Sequence, residues 1–114
     1  MISDLQDVLN TQLGLEYCGE MEDLYEDMLR DYVEGDHVAE LEEYYGAENW
    51  VDYRVTIHGV KSTTLMIGGE ELSAKAKELE LAAADSNVAF IKENHAKVLE
   101  EYKQLLGRIK EAIG

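Results

Sequence analysis

The sequence contains no proline, no Ser/Gly-rich linker and only one cysteine, Cys18. A lone cysteine excludes an internal disulfide and is typical of a protein in a reducing compartment. No apolar run approaches the roughly 20 residues that a membrane-spanning helix needs, and residues 1–13 lack the cationic start of a secretory signal. These absences predict a cytoplasmic protein without direct membrane contact.

Basic residues are scarce in the first part of the chain. Residues 1–50 carry 15 acidic residues and one arginine, for a net charge of −14, whereas residues 51–114 carry 10 acidic and nine basic residues, for a net charge of −1. Nucleic-acid binding needs a basic stripe, so nucleic acid is excluded as a partner. Because 46% of the residues are hydrophobic, residues 1–114 are expected to fold as one domain with one core despite this charge.

Apolar residues in the second half recur at steps of three and four, which is the spacing of one face of an α-helix. The first stripe begins after a suitable N-cap, Asn49, ends before a suitable stop, Gly68-Gly69, and consists of Trp50, Tyr53, Ile57, Val60, Thr64 and Ile67. The second precedes a turn at Asp85-Ser86-Asn87 and consists of Leu72, Ala76, Leu79 and Ala83. The third runs to the end of the chain and consists of Val88, Ile91, His95, Val98, Tyr102, Leu105, Ile109 and Ala112.

The N-terminal half shows shorter stripes. One ends near Gly35 and consists of Met21, Leu24, Tyr25, Met28 and Tyr32; another ends near Gly46 and consists of Val38, Leu41, Tyr44 and Tyr45; a weaker one surrounds Leu5, Leu9 and Leu13. Amphipathic helices joined by short connections favour antiparallel neighbours. The sequence therefore predicts an all-α fold, an up-and-down antiparallel four-helix bundle with one or more short additional helices on the N-terminal side.

At about 100° per residue, His58 lies on the half of its helix opposite the buried stripe, so its imidazole is expected to reach solvent. The residues around it on that half include Val51, Val55, Ser62 and Leu65, with Gly59 next in sequence, and are apolar or small where a solvated face would normally be charged. An apolar surface of low relief around one histidine is typical of a protein-docking site. We therefore expect Val55, Gly59, Ser62 and Leu65 to contact a partner protein.

The same residues resemble the core motif of histidine-containing phosphotransfer (HPt) domains, approximately His-x-x-Lys-Gly-Ser-Ser, with a Gly ten residues after the His and a Leu four residues later. The corresponding string is His58-Gly59-Val60-Lys61-Ser62-Thr63-Thr64-Leu65-Met66-Ile67-Gly68, followed by Leu72. Similarity also covers Gly14-Leu15, the segment from Leu24-Tyr25 to Tyr32 and the Leu79-Glu80 pair, and thus essentially the whole chain. Ser62 replaces the commoner Gly but is also small.

This resemblance implies a phosphoryl carrier of two-component signalling rather than a self-contained enzyme. His58 would accept a phosphoryl group from the aspartyl phosphate of one receiver (response-regulator) domain and pass it to the aspartate of another. The expected partners are receiver domains and a sensor histidine kinase, and Mg²⁺ is expected on the receiver, so no cofactor is expected on this chain. A neutral imidazole has one unprotonated nitrogen and can act as a nucleophile.

Two further residues are candidates for the transfer site. Lys61, at i+3 from His58, is expected to place an ammonium beside the anion that the ring carries, the alternative being a solvated lysine. Glu80 lies where the family has Gln or, in chemotaxis-kinase relatives, Glu, and is predicted to accept the Nδ1–H so that Nε2 attacks. The alternative for Glu80 is an intrahelical ion pair with Lys75 or Lys77. Lys77 is a weaker candidate for positive potential near the phosphate.

The remaining distinctive residues have structural interpretations. His95 is expected to be a hydrogen-bonded core residue, His37 an exposed one and Cys18 a buried or half-buried thiol. Several tyrosines are expected in the core or at its edge, namely Tyr25, Tyr32, Tyr44, Tyr45 and Tyr102. No Cys and His spacing suits zinc, so no metal site is expected, and there is no nucleophile elbow, phosphate-binding glycine loop or catalytic triad.

Two other functions remain open. The chain could be the phospho-accepting domain of a chemotaxis-type histidine kinase, which Glu80 keeps open, or a helical docking module that binds a partner without carrying phosphate. A monomer is predicted, because the helices are expected to close their own core. A dimer through the surface near Val55 and Leu65 is the alternative.

Overall fold

The computed structural model describes Met1–Gly114 and contains helices but no strand. A short 3₁₀-helix, Ile2–Leu5, precedes α1 (Thr11–Tyr17), α2 (Glu22–Glu34), α3 (Val38–Gly46), α4 (Trp50–Met66), α5 (Glu70–Ala84) and α6 (Val88–Ile113). The predicted all-α class is confirmed. None of these helices combines the length and the apolar composition that crossing a membrane would require.

Asparagine side chains cap the N-termini of three helices, α1, α4 and α6. The side-chain oxygens of Asn10, Asn49 and Asn87 each accept a hydrogen bond from the backbone N–H three residues further on, which satisfies one of the free donors of the first helical turn. After α4, Gly68 adopts a φ of 92°, a left-handed conformation that glycine tolerates without strain. The predicted N-cap at Asn49 and the predicted stop at Gly68-Gly69 are confirmed.

The helices α4 and α5 form an antiparallel hairpin. Ser73, near the start of α5, donates a hydrogen bond through Oγ to the carbonyl oxygen of Lys61 at 2.8 Å. About two turns further along α5, Glu80 contacts His58, which lies earlier in α4. The order of these contacts shows that α5 runs back along α4. A short turn at residues 85–87 then reverses the chain into α6.

The helices α2 and α3 follow one another along the remaining side of α4 and α6. The Tyr32 hydroxyl of α2 pairs with Thr64 Oγ1 at 2.7 Å, near the C-terminal end of α4. In α3, Tyr45 packs edge-on against Trp50, at the N-terminal end of α4. Tyr32 also contacts Tyr102 of α6 in an edge-on arrangement. The earlier residue, Tyr32, thus contacts the end of α4, and the later one, Tyr45, contacts its beginning, so α2 and α3 in succession run antiparallel to α4.

The core is one cluster of 22 buried hydrophobic residues drawn from the N-terminal segment and from α2 to α6. The predicted stripes of α4, α5 and α6 supply most of it. The prediction for α2 was partly wrong, because Met21 and Leu24 are exposed whereas Leu29 is fully buried. The inward face of α2 is centred on Tyr25, Leu29 and Tyr32, and the two exposed residues lie at its edge.

Candidate functional site

The imidazole of His58 projects from the solvent side of α4, and 58% of its side-chain surface is exposed. Its Nδ1 lies 2.5 Å from Oε2 of Glu80 on α5, which is the contact that the sequence predicts. Its Nε2 makes no hydrogen bond within the protein. Because an ionised carboxylate can only accept hydrogen bonds, Nδ1 carries the proton and the neutral ring keeps its lone pair on Nε2.

The Glu80 carboxylate joins two residues of the neighbouring helix. Its Oε1 accepts a hydrogen bond from Lys61 Nζ at 2.7 Å while Oε2 contacts His58, and only 16% of the side chain is exposed. Burial raises the pKa of this carboxyl, but the hydrogen bonds from Lys61 and His58 and their positive charges lower it more, so its pKa is below the usual range. Glu80 is therefore ionised at neutral pH and is a strong acceptor for the Nδ1–H.

Local packing places Glu80 at the seam between α4 and α5. Glu80 directly follows Leu79, a core residue, so its side chain emerges at the edge of the buried stripe of α5. Lys61 follows another core residue, Val60, in the same way on α4. The hydrogen bond from Ser73 to the Lys61 carbonyl links the two helices near this point. The site thus depends on the register of the hairpin.

The surface around His58 is apolar in part, because several exposed apolar side chains surround the ring but Arg54, one turn before it on α4, is also exposed. On the N-terminal side of the ring, Val51 and Val55 are 74% and 67% exposed, and Leu65 is exposed on the C-terminal side. Apart from its two chain neighbours and the backbone of α4, Gly59 has no heavy atom within 4 Å of the position that a Cβ would occupy, so an added methyl group would meet open space. Ser62 is exposed one turn further on. An exposed apolar surface of this kind is suited to contact with another protein.

The lysines near the site differ in what they contact. Lys61 is engaged by Glu80 rather than free beside the ring, and its predicted contact with a phosphoryl group stays a prediction. The alternative intrahelical pairs of Glu80 do not form: Lys75 instead pairs with Glu101 of α6, and Lys77 is exposed without an ion pair. Glu80 therefore makes its contacts across the helix hairpin and not along its own helix.

Two exposed apolar residues near the site were not among the predicted contact residues. Met66 follows Leu65 at the end of α4, and Leu81 follows Glu80 on α5; both side chains are substantially exposed. The exposure of Leu81 could have been predicted from the sequence, since Leu81 lies outside the apolar stripe of α5 and adjoins Glu80. The exposure of Met66 could have been predicted in the same way, since Met66 lies outside the apolar stripe of α4.

The other two histidines lie in different surroundings. His95 is buried, as predicted: Nδ1 pairs with the Tyr53 hydroxyl at 2.8 Å, Nε2 with Glu42 at 2.9 Å, and Tyr45 stacks on the ring. His37 is half-buried rather than exposed, because its backbone N–H donates to the hydroxyl of Tyr102, which holds it against α6. The ring of His37 resembles that of His58 in part, because its Nδ1 contacts Glu40 at 3.1 Å and its Nε2 makes no hydrogen bond in the protein, but it is less exposed, at 36% against 58%.

The tyrosines and the cysteine largely follow the sequence-based expectation. Tyr25, Tyr32 and Tyr102 are buried, whereas Tyr44 and Tyr45 are half-buried against the core. Burial raises the pKa of Tyr25 and of Tyr102 to about 12, so both hydroxyls stay neutral. Cys18 is half-buried, and burial raises the pKa of its thiol, so it has no thiolate character.

A scan against protein-family models and searches of curated proteins and of solved structures found no match. No group of three or more His, Cys, Asp and Glu side chains is arranged to hold a metal ion. What the site offers chemically is one exposed nitrogen nucleophile, a carboxylate that orients it and an apolar surface around it. This combination suits a covalent exchange with a group that a second protein presents.

Proposed function

We propose that this chain is a histidine phosphotransfer (HPt) protein or domain of two-component signalling. His58 accepts a phosphoryl group from the aspartyl phosphate of one receiver domain and passes it to the aspartate of another. The observation that carries the proposal is an exposed imidazole whose Nδ1 contacts Glu80 and whose Nε2 has no partner in the protein. The motif from His58 to Gly68, followed by Leu72, supports the same function.

In the proposed step, the lone pair of His58 Nε2 attacks the phosphorus of the aspartyl phosphate. An N–P bond forms, the P–O bond to the partner's aspartate breaks, and its electron pair stays on the carboxylate that leaves. Nδ1 keeps its proton, and the ring becomes cationic, so its hydrogen bond to the Glu80 carboxylate strengthens. In the onward step a second aspartate attacks phosphorus, and the N–P electron pair returns to Nε2.

Glu80 and Lys61 act together in this scheme. Glu80 holds the proton on Nδ1 and keeps Nε2 free for attack, while Lys61 keeps Glu80 ionised by pairing with its other oxygen. Phosphoryl transfer depends mainly on positioning and on charge stabilisation. The receiver domain is expected to bring Mg²⁺ and its own carboxylates, so this chain has only to present the ring.

The partner surface in the proposal consists of Val55, Gly59, Ser62 and Leu65. The small residues allow the backbone of a receiver to approach the ring closely, and the two apolar residues supply contact area. The proposed setting is the cytoplasm, where receivers and the kinase domains of sensor histidine kinases act. The proposed unit is a monomer that presents one such face.

We also propose that the helices form the up-and-down four-helix bundle of HPt domains, with a modification. α4, α5 and α6 are three of its members, and α2 and α3 in succession make the fourth. The contacts of Tyr32 with Thr64 and of Tyr45 with Trp50 support this. As the chain passes from α2 to α3, its contacts move from the C-terminal end of α4 to the N-terminal end. The 3₁₀-helix and α1 are the short additions on the N-terminal side.

The proposal is tested by incubating the chain with a receiver domain that a cognate kinase and ATP keep phosphorylated. The wild-type chain is expected to acquire a phosphoryl group that is acid-labile and alkali-stable, as an N–P bond is. The variant His58→Gln is expected to acquire none while it still binds the receiver. The control is His37→Gln, which changes the other partly exposed histidine and is expected to be labelled normally when the receiver is at saturating concentration. Equal labelling of wild type and His58→Gln would refute the assignment.

A second candidate function is the phospho-accepting domain of a chemotaxis-type kinase. The observation that favours it is the carboxylate of Glu80 on Nδ1, at the position where chemotaxis-kinase relatives have Glu. In that case a kinase catalytic domain with ATP would phosphorylate His58 without any receiver present. The remaining alternative, a docking module without phosphate, predicts receiver binding with no labelling under either condition.

A further inference from the structure

A groove of about 200 Å³ lies between α2, α4 and α6, beside the face that carries His58. Met28 of α2 and Met66 of α4 line its sides, and the buried residues Ile67 and Tyr102 lie at its base. Met66 is 43% exposed, so the groove opens to solvent. This α2–α4 groove has the volume of a large side chain.

The polar groups in the α2–α4 groove already have partners within the protein. The Tyr102 hydroxyl accepts a hydrogen bond from the backbone N–H of His37 at 3.0 Å, and the Tyr32 hydroxyl pairs with Thr64 at 2.7 Å. No buried side-chain nitrogen or oxygen is left without a partner. The groove therefore presents an apolar surface to any group that binds in it. Methionine side chains adapt their shape to an apolar group readily, which suits a docking surface.

A negative charge lies at the edge of the groove. Asp31 of α2 lines it, and its carboxylate forms no ion pair or side-chain hydrogen bond in the protein. The only arginine of α2, Arg30, is paired with Asp27 at 3.6 Å, and the imidazole of His37 faces Glu40 at 3.1 Å. An occupant that carries a cation beside its apolar group would thus complement both the shape and the charge of this edge.

Met66 places one side of the groove next to the proposed receiver-binding surface. It adjoins Leu65 and lies eight residues after His58, which is about 12 Å along the helix axis and about 80° around it. Stable protein interfaces involve about 20–30 residues on each side, so a receiver centred on His58 is expected to reach Met66.

We propose that the α2–α4 groove receives an apolar side chain of the receiver domain that docks on His58, and that a lysine or arginine next to this side chain pairs with Asp31. The inference rests on the proposed phosphotransfer function and adds a contact that lies away from the reacting ring. Such a contact binds the receiver equally before and during transfer, so it governs affinity and leaves the rate within the complex unchanged.

The first test is the variant Met66→Lys, with the receiver domain that phosphorylates wild-type His58 as the probe. We expect about tenfold weaker binding, with an unchanged transfer rate at saturating receiver. Val8→Lys is the matched control, since Val8 is an exposed apolar residue of the N-terminal segment, away from the groove. It is expected to bind as wild type does. Equal affinity of wild type and Met66→Lys would overturn the groove proposal.

The second test is Asp31→Lys, compared with Glu93→Lys, which makes the same charge change on an exposed residue of α6. We expect only Asp31→Lys to weaken binding, and the difference to shrink as salt concentration rises. Equal weakening by both variants would indicate a general charge effect and overturn the proposed pairing.

The outcomes separate the two proposals. If His58-dependent transfer occurs and the groove variants behave as wild type, the groove proposal alone fails. If no receiver transfers to wild-type His58, both proposals fail. A fall in self-association of Met66→Lys in sedimentation experiments, with receiver binding unchanged, would assign the groove to a second copy of the chain and also overturn the proposal.

Discussion

His58 and His95 both contact a carboxylate through one ring nitrogen, yet their environments are opposite. The side chain of His58 is 58% exposed, and that of His95 is 5% exposed. In His58 one nitrogen contacts Glu80 and the other is free, whereas in His95 both nitrogens have partners, Tyr53 and Glu42. The carboxylate contact alone therefore does not make a histidine reactive.

What distinguishes the two rings is the second nitrogen. A ring with both nitrogens hydrogen-bonded in the core links helices, and its removal is expected to affect folding. A surface ring with one nitrogen hydrogen-bonded and the other without a partner has a fixed tautomer and an accessible lone pair. Its removal is expected to abolish phosphoryl transfer without changing the stability of the fold. The following experiments test whether these two consequences separate.

The largest expected effect on stability comes from His95→Leu. The buried hydroxyl of Tyr53 loses its partner, and an unsatisfied buried polar group lowers the free energy of unfolding by about 1–3 kcal/mol. Urea unfolding followed by circular dichroism measures this loss. The matched variant His58→Gln is expected to stay within about 0.5 kcal/mol of wild type, as exposed substitutions usually do. Equal losses for the two variants would contradict the contrast between the rings.

Glu80→Ala is expected to slow phosphoryl transfer to His58 by about tenfold, because a hydrogen bond to a charged group contributes roughly 1.5 kcal/mol or more. The helical content is expected to be unchanged. Glu80→Gln should recover part of the rate, since its amide oxygen still accepts the Nδ1–H. Glu78→Ala, at an exposed position of the same helix without an ion pair, is the control. A wild-type rate for Glu80→Ala would show that the ring needs no orienting acceptor.

Gly59→Ala and Gly107→Ala form a matched pair within two helices, α4 and α6. Apart from chain neighbours and the backbone of its own helix, neither position has a heavy atom within 4 Å of an added Cβ, so each substitution is expected to raise stability by about 0.5–1 kcal/mol. Only Gly59→Ala is expected to weaken receiver binding and transfer, by a few-fold, because a methyl group beside His58 keeps the partner away. Thermal unfolding and transfer kinetics measure the two effects. Equal transfer rates for both variants would remove the argument for close approach at Gly59.

The smallest expected effect is on the titration of Glu80. The pKa of its carboxyl lies below the ordinary value of 4.5, and Lys61→Met is expected to raise it, because a hydrogen bond and a positive charge are removed. NMR of the side-chain carboxyl carbon as a function of pH measures both values. An unchanged pKa in the variant would contradict the pairing of Lys61 with Glu80.

The lowered pKa of Glu80 also determines how this residue changes the free energy of unfolding with pH. A carboxyl with a lowered pKa in the folded state stabilises that state fully above its unfolded-state value, and this contribution is lost as pH falls through the folded-state value. The contribution of Glu80 is therefore present at neutral pH and disappears only below about pH 4.5. Lys61→Met is expected to lose less stability than wild type on acidification through this range.

Periodicity predicted the long helices well because their inward faces are strict. The stripes of α4, α5 and α6 follow steps of three and four, and the core uses them. In α2 the same rule failed at Met21 and Leu24, because apolar residues also occur at the edge of this helix and outside its inward face. The succession of α2 and α3 along one side of α4 depends on tertiary packing, which no local pattern contains.

Features of the site that depend on one helix were predictable from periodicity, whereas the contact of His58 with Glu80 between α4 and α5 was predicted only through the family resemblance. The wheel position of His58 follows from α4 alone, and its exposure is as expected. The binding of Lys61 to Glu80 depends on the register of the α4–α5 hairpin, and the binding of Lys75 to Glu101 on the position of α6. The α2–α4 groove likewise needs three helices to be in place, so the sequence gives no sign of it.

The contact of Glu80 with His58 also bears on the entropy of an encounter with another molecule. A freely rotating imidazole would have to lose its side-chain freedom, and to adopt the right tautomer, each time a partner arrived. Here the contact with Glu80 already restrains the ring in the folded protein, before any encounter takes place. In the proposed transfer, Nε2 is thus preorganised, and the phosphoryl donor has only to approach it in the correct orientation.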